Sequence, residues 1–119
     1  MTTIEIQSLI SQLSESVQSF HDRFGITGKT TREELLSRIP IQTEEVSELN
    51  YSILNESEER IANEAVDVLY VALGTVLRLD SRISELALKE VINKNNKKTL
   101  ITHYINEAGK VSRRLGRKV

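Results

Sequence analysis

The sequence predicts an all-α protein, a bundle of four to five helices. Three observations carry that expectation. Apolar residues recur at three-to-four spacing in one segment after another. Ser or Thr stands ahead of several segments with acidic residues just behind it, which suits helix N-termini. The longest apolar stretch, Val66 to Leu79, keeps a helical period although Asp67, Gly74, Thr75 and Arg78 interrupt it.

The first helix is expected from about Thr3 to Arg23. Ile6, Leu9, Ile10, Leu13, Val17 and Phe20 form its stripe, and Gly25 stops it. Ile26 to Thr31, with Gly28 and its threonines, is a loop. Thr31 caps a second helix with Glu33 and Glu34 in its first turn. Pro40 lacks an N–H and clashes with the preceding turn. It predicts either a kink or a restart, the latter giving a helix from about Ile39 to Leu54. Asn55 to Ser57 is a short break, and Ser57 caps a third helix led by Glu58 and Glu59.

That third helix, about Glu58 to Leu79, is the most apolar. Val66, Leu69, Tyr70, Leu73, Val76 and Leu77 make one stripe, which Val68, Val71 and Ala72 widen. A helix apolar on more than one face is buried, often between subunits, so a homodimer or homotetramer is expected. Asp80 and Ser81 open a fourth helix carrying Ile83, Leu86, Ala87 and Val91, which runs into the polar stretch Asn93 to Lys98. Beyond Thr99, Ile101 to Ile105 suits a strand or a turn of helix, while Gly109 and Gly116 favour irregular structure.

A length of 119 residues suits a single domain over 1–119. Lys110, Arg113, Arg114, Arg117 and Lys118 make 110–119 a basic tail, either reaching a phosphate or an acidic neighbouring subunit, or lying loose. Aromatic residues are only 4% and Trp is absent, so Leu, Ile and Val must fill the core. A net charge of −1 argues against a general nucleic-acid binder. Without cysteine there is neither a disulfide framework nor a thiolate metal site, and any metal must be held by carboxylates with at most two histidines. No segment is long and apolar enough to span a bilayer, and no basic region precedes an apolar core at the N-terminus. The expected address is cytoplasmic.

The chemistry concentrates in two acidic groups. Glu45 and Glu48 stand at i, i+3, with Glu44 four residues before Glu48; Glu64 and Asp67 repeat the i, i+3 spacing on the third helix. Antiparallel helices joined at Asn55–Ser57 can bring both pairs face to face. Carboxylates around one point repel unless a cation sits between them. Mg²⁺ takes oxygen ligands and substrate phosphates, and either one ion or two would fit. Glutamates at these spacings are also ordinary on solvated faces. Asp67 argues otherwise, because it stands in an apolar run where a charge is costly to bury.

The whole pattern resembles the all-α nucleotide pyrophosphohydrolases. Glu44-Glu45-x-x-Glu48 followed by Glu64-x-x-Asp67 is similar to their E-E-x-x-E…E-x-x-D signature. Phe20-His21-Asp22-Arg23-Phe24-Gly25, the helix Asp67-Val68-Leu69-Tyr70-Val71-Ala72-Leu73-Gly74-Thr75, Glu90-Val91 with Asn95-x-x-Lys98, and Gly109-Lys110-Val111 resemble segments of the MazG-like branch. Arg113 stands where that branch has Lys, and its Pro-rich end is absent. The resemblance implies Mg²⁺-dependent hydrolysis of a (deoxy)nucleoside triphosphate to the monophosphate and pyrophosphate, serving the nucleotide pool. It implies metal ligation by Glu45, Glu48, Glu64 and Asp67, with Glu44 supporting the metal or ordering the attacking water. Asn95 and Lys98 would face the phosphates, and Lys110 would join the substrate-binding set. His21 beside Phe20 is a candidate base contact, since a ring can stack on a base and an imidazole can bond its edge.

The competing reading is a non-catalytic helical dimerisation or regulatory module. It accounts for the apolar stripes but not for the paired acids. A ferritin-like di-iron bundle is excluded, because Gln18 and Leu100, not Glu, stand three residues before His21 and His103.

Overall fold

The computed structural model describes residues 2–115. Its elements run α1 Thr3–Arg23, α2 Arg32–Asn55, α3 Glu58–Arg78, α4 Ser81–Asn96, β1 His103–Ile105 and β2 Val111–Arg113. The fold is all-α, with one short hairpin at the end. The chain divides into two compact units, with the boundary between Ser81 and Arg82. Among the described residues no helix is long and apolar enough to cross a membrane.

In the first unit each helix start is fixed chemically. Thr2 and Glu5 form a reciprocal capping box at the head of α1, with Glu5 N–H donating to Thr2 Oγ1 at 3.2 Å. Thr31 Oγ1 accepts from Glu34 N–H at 3.1 Å, and Ser57 Oγ from Arg60 N–H at 3.4 Å. α2 runs unbroken through Pro40, so the restart at about Ile39 is not realised and Pro40 lies inside one continuous helix. Pro40 and Leu36 are exposed, so water can reach the Leu36 carbonyl that loses its donor.

α3 packs against both α1 and α2. Its apolar stripe accounts for the contact, yet polar bonds fix the register. Gln42 Nε2 donates to Val68 O at 3.2 Å, Arg38 Nη2 to Val71 O at 2.7 Å and Arg38 Nε to Thr75 Oγ1 at 2.7 Å. On the other side Tyr70 meets Phe20 edge-on, with ring centroids 6.1 Å apart. Among the described residues Val17 is the one fully buried large hydrophobic side chain.

The second unit holds α4 and the antiparallel pair β1–β2, in register Tyr104↔Ser112. Of the segment Ile101–Ile105, expected as a strand or a turn of helix, His103–Ile105 is a strand, while Ile101 and Thr102 lie in a turn closed by the N–H groups of Thr102 and His103 donating to Thr99 O at 3.1 and 2.8 Å. Gly109 turns the hairpin at φ 81°, a conformation that favours glycine, and Asn106 Oδ1 accepts the N–H groups of Ala108 and Lys110. The basic segment from Lys110 therefore begins as a strand and not as a loose tail. Arg114 is also held: Nε donates to Leu100 O at 2.8 Å, and its guanidinium lies over Tyr104. Arg117 and Lys118 lie outside the described residues.

Candidate functional site

The α2–α3 hairpin brings three of the expected acids together. One carboxylate oxygen each of Glu45, Glu48 and Glu64 lies within 4.8 Å of the others. The cause is local. The i, i+3 spacing puts Glu45 and Glu48 on one face of α2, and the short turn after Asn55 folds α3 back so that Glu64 meets them. Glu64 is buried, Glu45 half-buried and Glu48 exposed.

The electrostatics call for a cation. Burial raises the Glu45 carboxyl above the ordinary carboxylate range, and the charges of Asp67, Glu64 and Glu44 add to the effect. Burial likewise raises Glu64, against the opposing pull of Arg60. Oε2 of Glu45 and Oε2 of Glu64 are buried with no hydrogen-bond partner. Buried acceptors without donors are costly, and a hard divalent cation would satisfy both. The donor set therefore fits such an ion.

Asp67 departs from expectation. It is exposed, not buried in the apolar helix, and stands outside the three-carboxylate cluster. The apolar residues beside it are themselves partly open, with Val66 at 46% exposure, so the desolvation argument does not apply within one chain. Its charge still acts on Glu45 and Glu64.

Glu44 borders a cavity of about 490 Å³ beside the cluster, together with Glu48, Tyr51, Glu56, Arg60 and Glu64. Periodicity alone missed Arg60. It donates to Glu64 Oε1 at 2.7 Å and stands 3.9 Å from Glu56. The signal was present, because Glu56, Arg60 and Glu64 follow one another at i, i+4.

His21 is turned inward. It is 4% exposed and its Nδ1 has no hydrogen-bond partner. Burial first, then the charges of Arg38 and Arg78, lower its pKa, so it is held neutral. The second unit carries the other expected residues. Asn95 and Lys98 line a cavity of about 420 Å³ with His103 and Tyr104. Lys110 lies in the hairpin turn.

An antiparallel helix pair that gathers Glu45, Glu48 and Glu64 at one point has the architecture of the all-α nucleotide pyrophosphohydrolases. The family model described as phosphoribosyl-ATP pyrophosphohydrolase matches residues 8–99, most of the chain, and the protein belongs to that family. No curated protein and no solved structure matches it.

Proposed function

We propose that the protein hydrolyses a (deoxy)nucleoside triphosphate to the monophosphate and pyrophosphate with Mg²⁺, as a housekeeping enzyme of the nucleotide pool. The observation that carries this reading is the meeting of Glu45, Glu48 and Glu64 with two unpartnered oxygens. Family membership narrows the chemistry to a phosphoanhydride on a nucleotide.

Glu45, Glu48 and Glu64 would hold the ion, with Asp67 joining from the next turn of α3. Bound Mg²⁺ supplies charge neutralisation at phosphoryl oxygens and an oriented water. Glu44 and Glu45 are assigned to accept the proton of that water. Asn95, Lys98 and Lys110 are assigned to phosphate, since Lys supplies charge and Asn a neutral donor. His21 is assigned to the base, which requires that its pocket opens.

We further propose a homodimer or homotetramer working in the cytoplasm, each chain acting as one domain, with no nucleic-acid partner. Ile6, Leu9 and Ile10 of α1 and Leu36, Ile39 and Val46 of α2 are exposed, apolar surface that a second copy would cover.

Pyrophosphate release from a panel of canonical and damaged NTPs and dNTPs, with phosphoribosyl-ATP included, tests the reading. Mg²⁺-dependent release from a triphosphate is expected. Turnover of phosphoribosyl-ATP alone would move the substrate to that of the family's name. No release from any nucleotide would favour the non-catalytic module.

A further inference from the structure

Glu64 has one oxygen engaged and one free. Oε1 accepts from Arg60 Nη2 at 2.7 Å, while Oε2 has no partner. The carboxylate is buried, but the Arg60 side chain is 52% exposed. Arg60 Nε also stands 3.9 Å from Glu56 Oε2. Glu56 is in turn anchored, because its other oxygen accepts the hydroxyl of buried Ser52. Arg60 thus rests between a fixed carboxylate and a carboxylate of the metal cluster, on the wall of the 490 Å³ cavity. Among the described residues lining that cavity, it is the one cation.

Two consequences follow from charge. A divalent cation seated on the free Oε2 of Glu64, with Glu45 and Glu48, draws that carboxylate's charge away from the guanidinium on Oε1 and repels it with twice its charge. Polyphosphate entering a cavity walled by Glu44, Glu48 and Glu56 meets repulsion, and of the described residues lining that cavity Arg60 is the one whose charge opposes it. A guanidinium freed from Glu64 keeps Glu56 as its tether and presents a planar fork, which matches phosphate oxygens.

We propose that Arg60 is a phosphate-binding residue held in reserve by Glu64 and released to the substrate when a divalent cation takes that carboxylate. The proposal rests on the metal reading above. It gives the site an order of events: the ion first, then the polyphosphate. In the metal-free chain the same contact shields a buried carboxylate from its acidic neighbours.

The test uses the full-length protein, Mn²⁺ alone as the metal probe and imidodiphosphate as the anion probe, both followed by titration calorimetry. Arg60→Gln is expected to bind Mn²⁺ several-fold tighter, because the competing cation is gone. With Mn²⁺ saturating, the same variant is expected to bind imidodiphosphate at least about tenfold more weakly, as the loss of a charge-assisted fork implies. Arg60→Lys keeps the charge without the fork. It is expected to hold Mn²⁺ nearly as wild type does and to lose part of the imidodiphosphate affinity, and it carries the test if the glutamine variant fails to fold. Arg32→Gln removes a charge at the far end of α2, about 20 Å along the helix axis from Glu45, and is expected to change neither constant. An Arg60→Gln protein that matches Arg32→Gln in either titration overturns the proposal while leaving the metal site standing. Wild-type protein that binds no Mn²⁺ overturns the metal reading and the proposal together.

Discussion

Arg78 grips Glu34 with two parallel bonds, Nε to Oε2 at 2.6 Å and Nη2 to Oε1 at 2.7 Å, tying the last turn of α3 to the first turn of α2. A third bond runs from Nη1 to Gly28 O at 3.2 Å and holds the loop before α2. The arginine side chain is 8% exposed, so removing one partner leaves the other charged and poorly solvated. Arg78→Ala is expected to cost about 2–4 kcal/mol, the lower end reflecting the partial exposure of Glu34. Urea unfolding measures this, and a loss under about 0.5 kcal/mol would place the pair among inert surface contacts.

The same corner gives the fold an acid dependence of known sign. The hydrogen bond from Arg78 is the main reason the Glu34 carboxyl titrates below its ordinary range. A carboxylate so lowered contributes stability that is present above its unfolded pKa and is lost as pH falls through the folded value. His21 acts in the same direction in a higher window, because burial and then Arg38 and Arg78 lower its pKa. Its contribution is present above about pH 6.5, the unfolded value, and erodes below it. Glu45 and Glu64, both raised, gain on protonation and oppose this trend. Differences between variant and wild type therefore isolate each group better than raw melting temperatures do. The melting-temperature gap between wild type and Glu34→Gln is expected to narrow as pH drops from 5 towards 3. A constant gap would refute the assignment.

Why this corner was hidden in the sequence, while the acid cluster was not, is a matter of range. Glu45 with Glu48, and Glu64 with Asp67, are neighbours within one helix, and the break at Asn55–Ser57 already forces the two helices together. Helix ends were legible for the same local reason, through Thr31 and Ser57. Arg78 reaches Glu34 and Arg38 reaches Thr75 across 44 and 37 residues of chain, a separation over which the pattern of polar residues carries no register. Asp67 was misjudged because the apolarity of its helix implies burial only once another surface covers it, and one chain does not supply that cover. Pro40 was legible as a problem but not as its solution, which depends on the solvent facing Leu36.

Gly74 has a packing role that its position in an apolar helix does not reveal. A Cβ there would overlap Arg38 Nη2 and come within 3.3 Å of His21 Cε1. The missing side chain lets Arg38 lie across α3 and donate to Val71 O. Alanine normally favours a helix over glycine by about 1 kcal/mol. Here Gly74→Ala is expected to destabilise by about 1–3 kcal/mol, because Arg38 must leave two bonds in a partly buried place. Chemical denaturation decides between the signs: a more stable Gly74→Ala protein would mean that Arg38 moves aside freely.

Metal and stability should be linked at the cluster. A ligand that binds only the folded chain stabilises it by about 2.7 kcal/mol at a hundred times its Kd. Mg²⁺ is thus expected to raise the melting temperature of wild type and to leave that of Glu45→Gln nearly unchanged. Without metal, Glu45→Gln is expected to be as stable as wild type or more so, since a raised carboxylate is replaced by a neutral group. Asp67→Asn provides the graded case. Its side chain is exposed and outside the three-oxygen cluster, so the fold should survive while activity falls, and full activity would remove Asp67 from the ligand set.

The last expectation concerns which phosphorus is attacked. On the proposed reading, water adds to the α-phosphorus, the bond to the bridging α–β oxygen breaks, and pyrophosphate departs as one unit. Negative charge then builds on the departing group, so a cation assigned to phosphate should matter more to turnover than to product binding. Lys98→Ala is expected to lower kcat with a triphosphate by about tenfold or more, while the monophosphate binds almost as before. Equal losses in both would make Lys98 a uniform binding contact. Reaction in ¹⁸O-labelled water locates the attack directly. Label is expected in the monophosphate, because the new oxygen stays on the phosphorus that water attacks. Label confined to pyrophosphate would place the attack at the β-phosphorus, and release of single orthophosphate would assign a different reaction to the carboxylates of α2 and α3.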